Sequence, residues 1–262
     1  MAIVTMLYYS KYMMKKGVNV KKVMFDEKVA LSYDDDIDSM YQPEVLDLTV
    51  DFLAALAGDG TALEFGIGTG RIALPLSARG IPVHGIDNSE PMLKQLKSKP
   101  GAERIGITVG NFAKTRIRST FRLVYLVFNT IMNLTTQEEQ VACFENAAAH
   151  LEPGGYFVIE VGVPDLRRLP PGERVRAFAI SHSRFGFDEY TDFTNQIVYS
   201  HHFWTVSNNL RTFSAPFRFV WPSELDLMAR LAKMTLHERW AGWVREPFTD
   251  ESKSHVSVWK RS

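Results

Sequence analysis

The segment ALEFGIGTGRIALPL, residues 62–76, constrains this chain more than any other. Glu64, Gly66, Gly68 and Gly70 fall at alternating positions between an apolar, strand-like run and a stretch with helical spacing. Glycines without Cβ permit a tight strand-to-helix turn and let backbone N–H groups approach a ligand closely. The N-terminus of the following helix adds a partial positive charge that favours an anionic group. The spacing also discriminates between ligands. A dinucleotide fingerprint G-x-G-x-x-G needs glycine at position 71, which is Arg71, and no Gly-Lys-Ser/Thr closes a phosphate loop. NAD and ATP both drop down the list.

The loop sits inside a regular alternation of strands and helices. Pro43 opens an apolar-periodic helix that ends before Gly58, at the positions where proline and glycine punctuate helices. Strand signals follow at 61–66, 82–87, 104–110, 123–129 and 156–163, separated by helical stretches at 71–78, 91–98 and 136–151. This βαβ rhythm predicts an α/β fold with a parallel sheet covered on both faces. The rhythm breaks after Pro164. Up to Pro222 the chain is β-rich, with runs such as NQIVYSHHFWTV and RTFSAPFRFVW and a hairpin turn at Asn208–Asn209, which predicts an antiparallel insertion of three or four strands. Helical spacing returns in SELDLMARLAKM, and two strands at 235–243 and 255–259 finish the chain.

Asp87 ends the second predicted strand, where a carboxylate can accept both hydroxyls of a ribose. Asn88 and Ser89 beside it are available to cap the next helix. Composition narrows the partners. Thirty Lys plus Arg balance thirty Asp plus Glu, so no global field attracts nucleic acid or an anionic membrane. With 45% hydrophobic residues the chain is globular, and no run of about 20 apolar residues predicts a spanning helix. A single cysteine, Cys143, can form neither an internal disulfide nor a thiolate metal cage, and fits a reducing, cytoplasmic setting. The first 24 residues carry five lysines and no acid, but their apolar stretch precedes the lysines, the wrong order for a secretory leader.

These motifs resemble those of the class I S-adenosylmethionine-dependent methyltransferases, from about Pro43 onward. The family's acid-x-Gly-x-Gly-x-Gly matches Glu64 to Gly70, its strand-two acid matches Asp87, and HLEPGGYFVIE is similar to its turn before strand five. The resemblance implies a Rossmann-like, doubly wound, mostly parallel seven-stranded sheet with an antiparallel last strand, plus the antiparallel β insertion. It implies an organisation into 1–42 (extension and helical lid), 43–163 (cofactor-binding core), 164–222 (insertion) and 223–262 (completion of the sheet). Gly66, Gly68 and Gly70 would cradle the amino-acid portion of S-adenosylmethionine, with Glu64 facing its ammonium. Asp87, with Asn88 beside it, would hold the ribose. Asn111 and Phe112 in GNFAK resemble the adenine-binding element, although Asn111 replaces a more common Asp. Asn129 and Asn133, at the end of the fourth strand, would contact cofactor or acceptor, and Tyr33 and Tyr41 would close over the site as amino-terminal tyrosines often do in the family.

Methyl transfer from a sulfonium is an in-line displacement that requires no metal, and no His, Cys or acid spacing here suggests one. Orienting the acceptor contributes on the order of 7–11 kcal/mol to such a step. A hydroxyl or amine acceptor must shed a proton, which makes a base useful. His201 and His202 in the insertion, together with Asn133, are the catalytic candidates; sequential strand residues point to opposite faces, so only one of the two histidines can enter a common pocket. His182 and His255 are further, weaker candidates. The insertion is similar to the extra strands of glycine and amino-sugar N-methyltransferases, which cover the site, shape the acceptor pocket or build a homodimer contact. The expected function is methyl transfer to N or O of a small molecule, without nucleic-acid or membrane partners. An RNA (tRNA) methyltransferase and a non-catalytic S-adenosylmethionine-binding protein are the alternatives.

Overall fold

The computed structural model describes residues 25–36, 42–206 and 209–262. The expectations for the Lys-rich residues 1–24, for Tyr41 and for Asn208 lie outside the described residues. Eleven strands form two sheets among those described. The first contains β1 (Ala62–Phe65), β2 (Val83–Asp87), β3 (Gly106–Val109), β4 (Phe121–Leu126), β5 (Leu151–Gly162), β10 (Met234–Trp240) and β11 (Ser254–Arg261), in the order β10-β11-β5-β4-β1-β2-β3. β1 pairs in parallel with β2 and β4, and β11 runs antiparallel to both β5 and β10. The seven-stranded sheet with an antiparallel last strand is thus the one the motifs implied.

Helices cover both faces. Pro43 begins α2 (Pro43–Ala57), which ends at Gly58 with φ +54°. Then come α3 (Ala73–Ala78), α4 (Glu90–Lys97), α5 (Gln137–His150) and α6 (Pro222–Leu231). Ser89 and Thr136 cap α4 and α5 by accepting the N–H groups of Met92 and Glu139, contacts worth ~1 kcal/mol each. All four residues of β1 are buried, as expected of a central parallel strand. On one face Trp259 is fully buried against Phe144 and Phe157, at ring-centroid distances of 5.3 and 6.1 Å, with its indole N–H donating to Asp226.

The second sheet is the insertion: β6 (Val175–Ile180), β7 (Arg184–Asp192), β8 (Ile197–Val206) and β9 (Asn209–Arg218), antiparallel throughout and in sequence order. It is anchored to the rest of the molecule by a buried polar joint. Gln140 on α5, fully buried, donates to the carbonyls of Ile131, Leu134 and Arg218, and Arg218 donates to Gln140, Gln196 and Glu224. Nearly every polar atom there has a partner, as burial requires.

The amino-terminal segment contains a helix, α1 (Glu27–Asp36). One local expectation changes. The fourth strand ends at Leu126, short of residue 129, because Phe128 and Asn129 both adopt left-handed conformations, φ 56° and 61°, that no strand can hold.

Candidate active site

The glycine loop follows β1 directly. Gly66, Gly68 and Gly70 all have positive φ, between 54° and 80°. At Gly66 a Cβ would lie 2.6 Å from the Thr130 methyl, so this position requires glycine for both conformation and space. Glu64 is 4% exposed and accepts the Tyr125 hydroxyl at 3.0 Å. Burial pushes its carboxyl up to about 8, against the Tyr125 bond and the nearby Arg71 charge. Asp87, at the end of β2, accepts Gly68 N–H on one oxygen and Ser89 N–H on the other, both at 2.8 Å. Burial raises its pKa, and these amides oppose the shift. Each oxygen keeps a lone pair for a further donor. The side chain of Asn88 is exposed at the rim.

Helix α1 clasps this loop. The Thr69 hydroxyl donates to Asp34 at 2.6 Å, and Lys99 reaches both Asp34, at 2.5 Å, and the Thr69 carbonyl, at 2.9 Å. Ser89 Oγ donates to the Phe25 carbonyl, and Arg211 of β9 donates to Ser32. Helix α1, with Phe25 just before it, therefore touches the loop, the Asp87 region and the second sheet. It carries Tyr33, edge-on to Phe25, into the site. Burial pushes the Tyr33 hydroxyl up to about 12, against the attraction of Arg71, with Asp34, Asp87 and Glu64 adding to the rise.

Beyond β4, Phe128 and Asn129 form a left-handed turn beside the loop. The Glu160 carboxylate on β5 accepts Phe128 N–H at 2.9 Å and the Trp243 indole N–H at 3.1 Å, and Asn129 Oδ1 accepts Gly162 N–H at 2.7 Å. The nearly buried Arg71 guanidinium lies 5.2 Å from the Phe128 ring centroid. Across the loop, Asn111 Oδ1 accepts Ala113 N–H at 2.8 Å, and Phe112 stacks on Phe65 at 5.9 Å. The same ring lies within 4 Å of a Cβ at Gly66. Sequence reasoning missed the parts played by Arg71, Phe128 and Glu160. Arg71 carried a usable signal, a cation at the first turn after the glycines; Glu160 carried none, since its role depends on the pairing of β5 with β4.

A cavity of about 800 Å³ opens from this turn to the inner face of the second sheet. Tyr33, Phe128, Asn129 and Asn133 line it from one side, and Arg176, Asp188, His202 and Trp204 from the other. His202 lines the cavity, with Nε2 3.1 Å from Ser200 Oγ, and burial pushes its pKa down to about 4, assisted by Arg184. His201 is a correction to the sequence reading. The strand period turns it to the opposite face, where it stacks on Phe187 and contacts Glu189 and Ser214. His182 is exposed, and His255 is fully buried beside Ser257 on β11. Asp188, overlooked in the sequence, lines the cavity, and burial raises its pKa despite a hydrogen bond from Ser200 and the nearby Arg176. No cluster of three or more His, Cys, Asp or Glu suited to a metal occurs among the described residues.

A methyltransferase-domain family profile matches residues 62–155, the segment from β1 into β5. The chain is 33% identical to the CcbJ methyltransferase from Streptomyces caelestis, with a TM-score of 0.82 over 92% of this chain and 98% of that one. The chain belongs to the class I S-adenosylmethionine-dependent methyltransferases. An S-adenosylmethionine-bound amino pentose methyltransferase from Micromonospora echinaspora, 22% identical, shares the fold of this methyltransferase with a TM-score of 0.66 over 88% of this chain and 96% of the other. An uncharacterized methyltransferase of Geobacillus sp. (strain WCH70) is 35% identical over 92 residues, and the aligned part spans 42% of that curated relative. The buried carboxylates, glycine cradle and aromatic flank fit S-adenosylmethionine as cofactor: Glu64 and Asp87 offer acceptors to ammonium and ribose hydroxyls, and Phe112 offers a ring face. No helix among the described residues is long and apolar enough to cross a membrane.

Proposed function

We propose that this methyltransferase transfers a methyl group to nitrogen or oxygen of a small molecule seated in the cavity beneath the second sheet. The observation that carries the reading is the cavity itself, which is walled by the insertion and by the same Tyr33, Phe128 and Asn129 that border the glycine loop. Its volume of about 800 Å³ suits a metabolite. The fold shared with an amino pentose methyltransferase supports the same class of acceptor, and the single buried Cys143 suits a cytoplasmic setting.

S-adenosylmethionine supplies a methyl on a sulfonium, and the protein's task is positional. Glu64 would hold the cofactor ammonium, Asp87 and Asn88 the ribose, and Asn111 and Phe112 the adenine. Tyr33 and Phe128 cover the site from either side. The acceptor's proton passes to a group lining the cavity, for which Asp188 and the neutral His202 are the available bases; Asn129 and Asn133 orient the acceptor.

Titration calorimetry with S-adenosylhomocysteine tests the cofactor half. Asp87→Ala should weaken binding at least tenfold, and an unchanged affinity would remove Asp87 from the site. Isotopically labelled cofactor incubated with the enzyme and a metabolite extract tests the acceptor half by mass spectrometry of the labelled product. Label appearing only in added RNA would overturn the small-molecule reading.

A further inference from the structure

Two buried polar residues of α5 reach the loop that follows β3. Asn146 and His150 stand one helical turn apart on the same face of the helix, and 0% and 1% of their surface is exposed. The Asn146 amide donates to the Phe112 carbonyl at 2.5 Å and to the Thr115 carbonyl at 3.0 Å. His150 Nε2 accepts the Ile117 N–H at 2.9 Å. Residues 112–117 therefore hang from α5 by these hydrogen bonds.

The chemistry of each contact fixes its direction. Both partners of Asn146 are carbonyls, so its NH2 faces the loop, and its Oδ1 is left buried with no hydrogen-bond partner among the described residues. His150 Nδ1 lies 2.8 Å from the Asn146 carbonyl of its own helix. A carbonyl only accepts, so Nδ1 carries the proton and Nε2 keeps the lone pair that takes the Ile117 amide. Burial lowers the pKa of His150 against the bond to the Asn146 carbonyl, and Arg116 adds to the fall, which keeps the ring in the neutral form that can accept. An orphaned buried oxygen is costly. An apolar residue would avoid that cost at a position that only packed, so the Asn146 amide answers to the loop it grips.

The contacts converge on Phe112. Asn146 holds its carbonyl, its ring stacks on Phe65 at 5.9 Å, and the His150 ring packs edge-on against the same Phe65 at 6.2 Å. At the start of the loop, Gly110 N–H donates to the Asp87 carbonyl at 2.9 Å, which ties it to the ribose side of the site. We propose that Asn146 and His150 are positioning residues for cofactor recognition, which act through residues 112–117 to hold the adenine-reading loop in place beside the glycine cradle. The proposal rests on the assignment of Asn111 and Phe112 to the adenine. Neither Asn146 nor His150 touches cofactor or acceptor, and neither takes part in proton or methyl movement.

A change of base tests this. Adenine offers an acceptor at N1 and a donor at its amino group, where hypoxanthine offers a donor and an acceptor. A loop held in place tells the two apart, and a loosened one loses the distinction. In titration calorimetry the full-length wild type should bind S-adenosylhomocysteine at least about tenfold more tightly than S-inosylhomocysteine. Asn146→Ala and His150→Leu should each reduce that ratio about threefold or more, which general destabilisation does not do, since it weakens both ligands alike. His150→Gln, which keeps an acceptor for the Ile117 N–H, should hold the ratio within about twofold of the wild type. Should Asn146→Ala fail to fold, the two His150 variants decide. Asn111→Ala and Phe112→Ala report on the underlying assignment. Equal wild-type affinity for the two ligands, or unchanged binding of both ligands in these two variants, removes the adenine from this loop and the proposal with it. Where Asn111→Ala and Phe112→Ala do weaken S-adenosylhomocysteine, a ratio left unchanged by Asn146→Ala and His150→Leu overturns the proposal alone.

Discussion

Glu160 holds the backbone N–H of Phe128 at 2.9 Å while its other carboxylate oxygen accepts the Trp243 indole at 3.1 Å. The pair fixes two successive non-glycine residues in left-handed conformations at the edge of the cavity. Such conformations cost on the order of 1–3 kcal/mol each and persist only where the surroundings hold them.

Glu160→Gln is therefore expected to be more than a neutral isostere. An amide presents one oxygen and one NH2 to two donors, so one donor loses its acceptor at a cost of about 1–2 kcal/mol. Thermal unfolding should drop by roughly 2–4 °C for each kcal/mol, and turnover should fall more than cofactor affinity, because the displaced turn lines the cavity. Scanning calorimetry together with the ratio of kcat loss to Kd loss checks this; equal stability with unchanged kcat would contradict it.

Asp34→Ala should uncouple α1 from the glycine loop while leaving global stability nearly intact. The carboxylate is partly exposed, and an exposed ion pair is worth only ~0–1 kcal/mol. The local effect is larger, since the Thr69 hydroxyl and the Lys99 ammonium lose their partner together. Limited proteolysis within residues 25–36 should accelerate and S-adenosylhomocysteine affinity should fall about threefold to tenfold, an estimate of one lost charge-assisted contact.

The unliganded protein should become less stable between about pH 4.5 and 8. Glu64 holds its proton up to about 8 in the fold but only to 4.5 unfolded, so in this window the native state binds the extra proton. Stability then falls as pH rises, by at most about 1.4 kcal/mol per unit, and is level outside the window. Glu64→Gln should flatten the slope in denaturant titrations across that range. A wild-type slope equal to that of the variant would show that Glu64 is ionised in the fold.

His202→Phe should leave the shape of the pH–rate profile above about pH 5 unaltered, since the imidazole, pushed down to about 4 mainly by burial, is already neutral there. The expected change is a rise in acceptor KM, because the variant fills part of the cavity wall and removes an acceptor atom. Loss of an ionisation near neutrality in the variant would assign His202 the proton transfer itself.

The glycine loop and its two flanking acids were legible in the sequence because their arrangement is local. Glycines that need positive φ, an acid one residue before the strand end and a second acid closing the next strand are all written in short, contiguous segments. The alternation of strands and helices gave the sheet in the same way. What resisted reading depends on pairing between distant segments. Whether His201 or His202 faces the cavity turns on which face of β8 is covered, and the register that sets Arg184 beside Trp204 and Arg211 cannot be counted from spacing alone. Phe128 and Asn129 read as strand because they continue an apolar run, and the contacts with Glu160 and Gly162 that hold them out of it come from a distant segment. The buried joint of Gln140 with Arg218 likewise joins residues 78 positions apart.

Among the described residues the second sheet shares no strand with the first; the two are joined by the Gln140–Arg218 joint, by α1, by loops and by the packing of Met132 against Tyr190, Val198 and Phe219. For protein engineering this makes the roof replaceable. Inward positions of β7, β8 and β9 can be randomised as a compact grid without touching the strands that carry Glu64 and Asp87. A library confined to that grid should retain methyl-donor binding in most members while redistributing the molecules they accept.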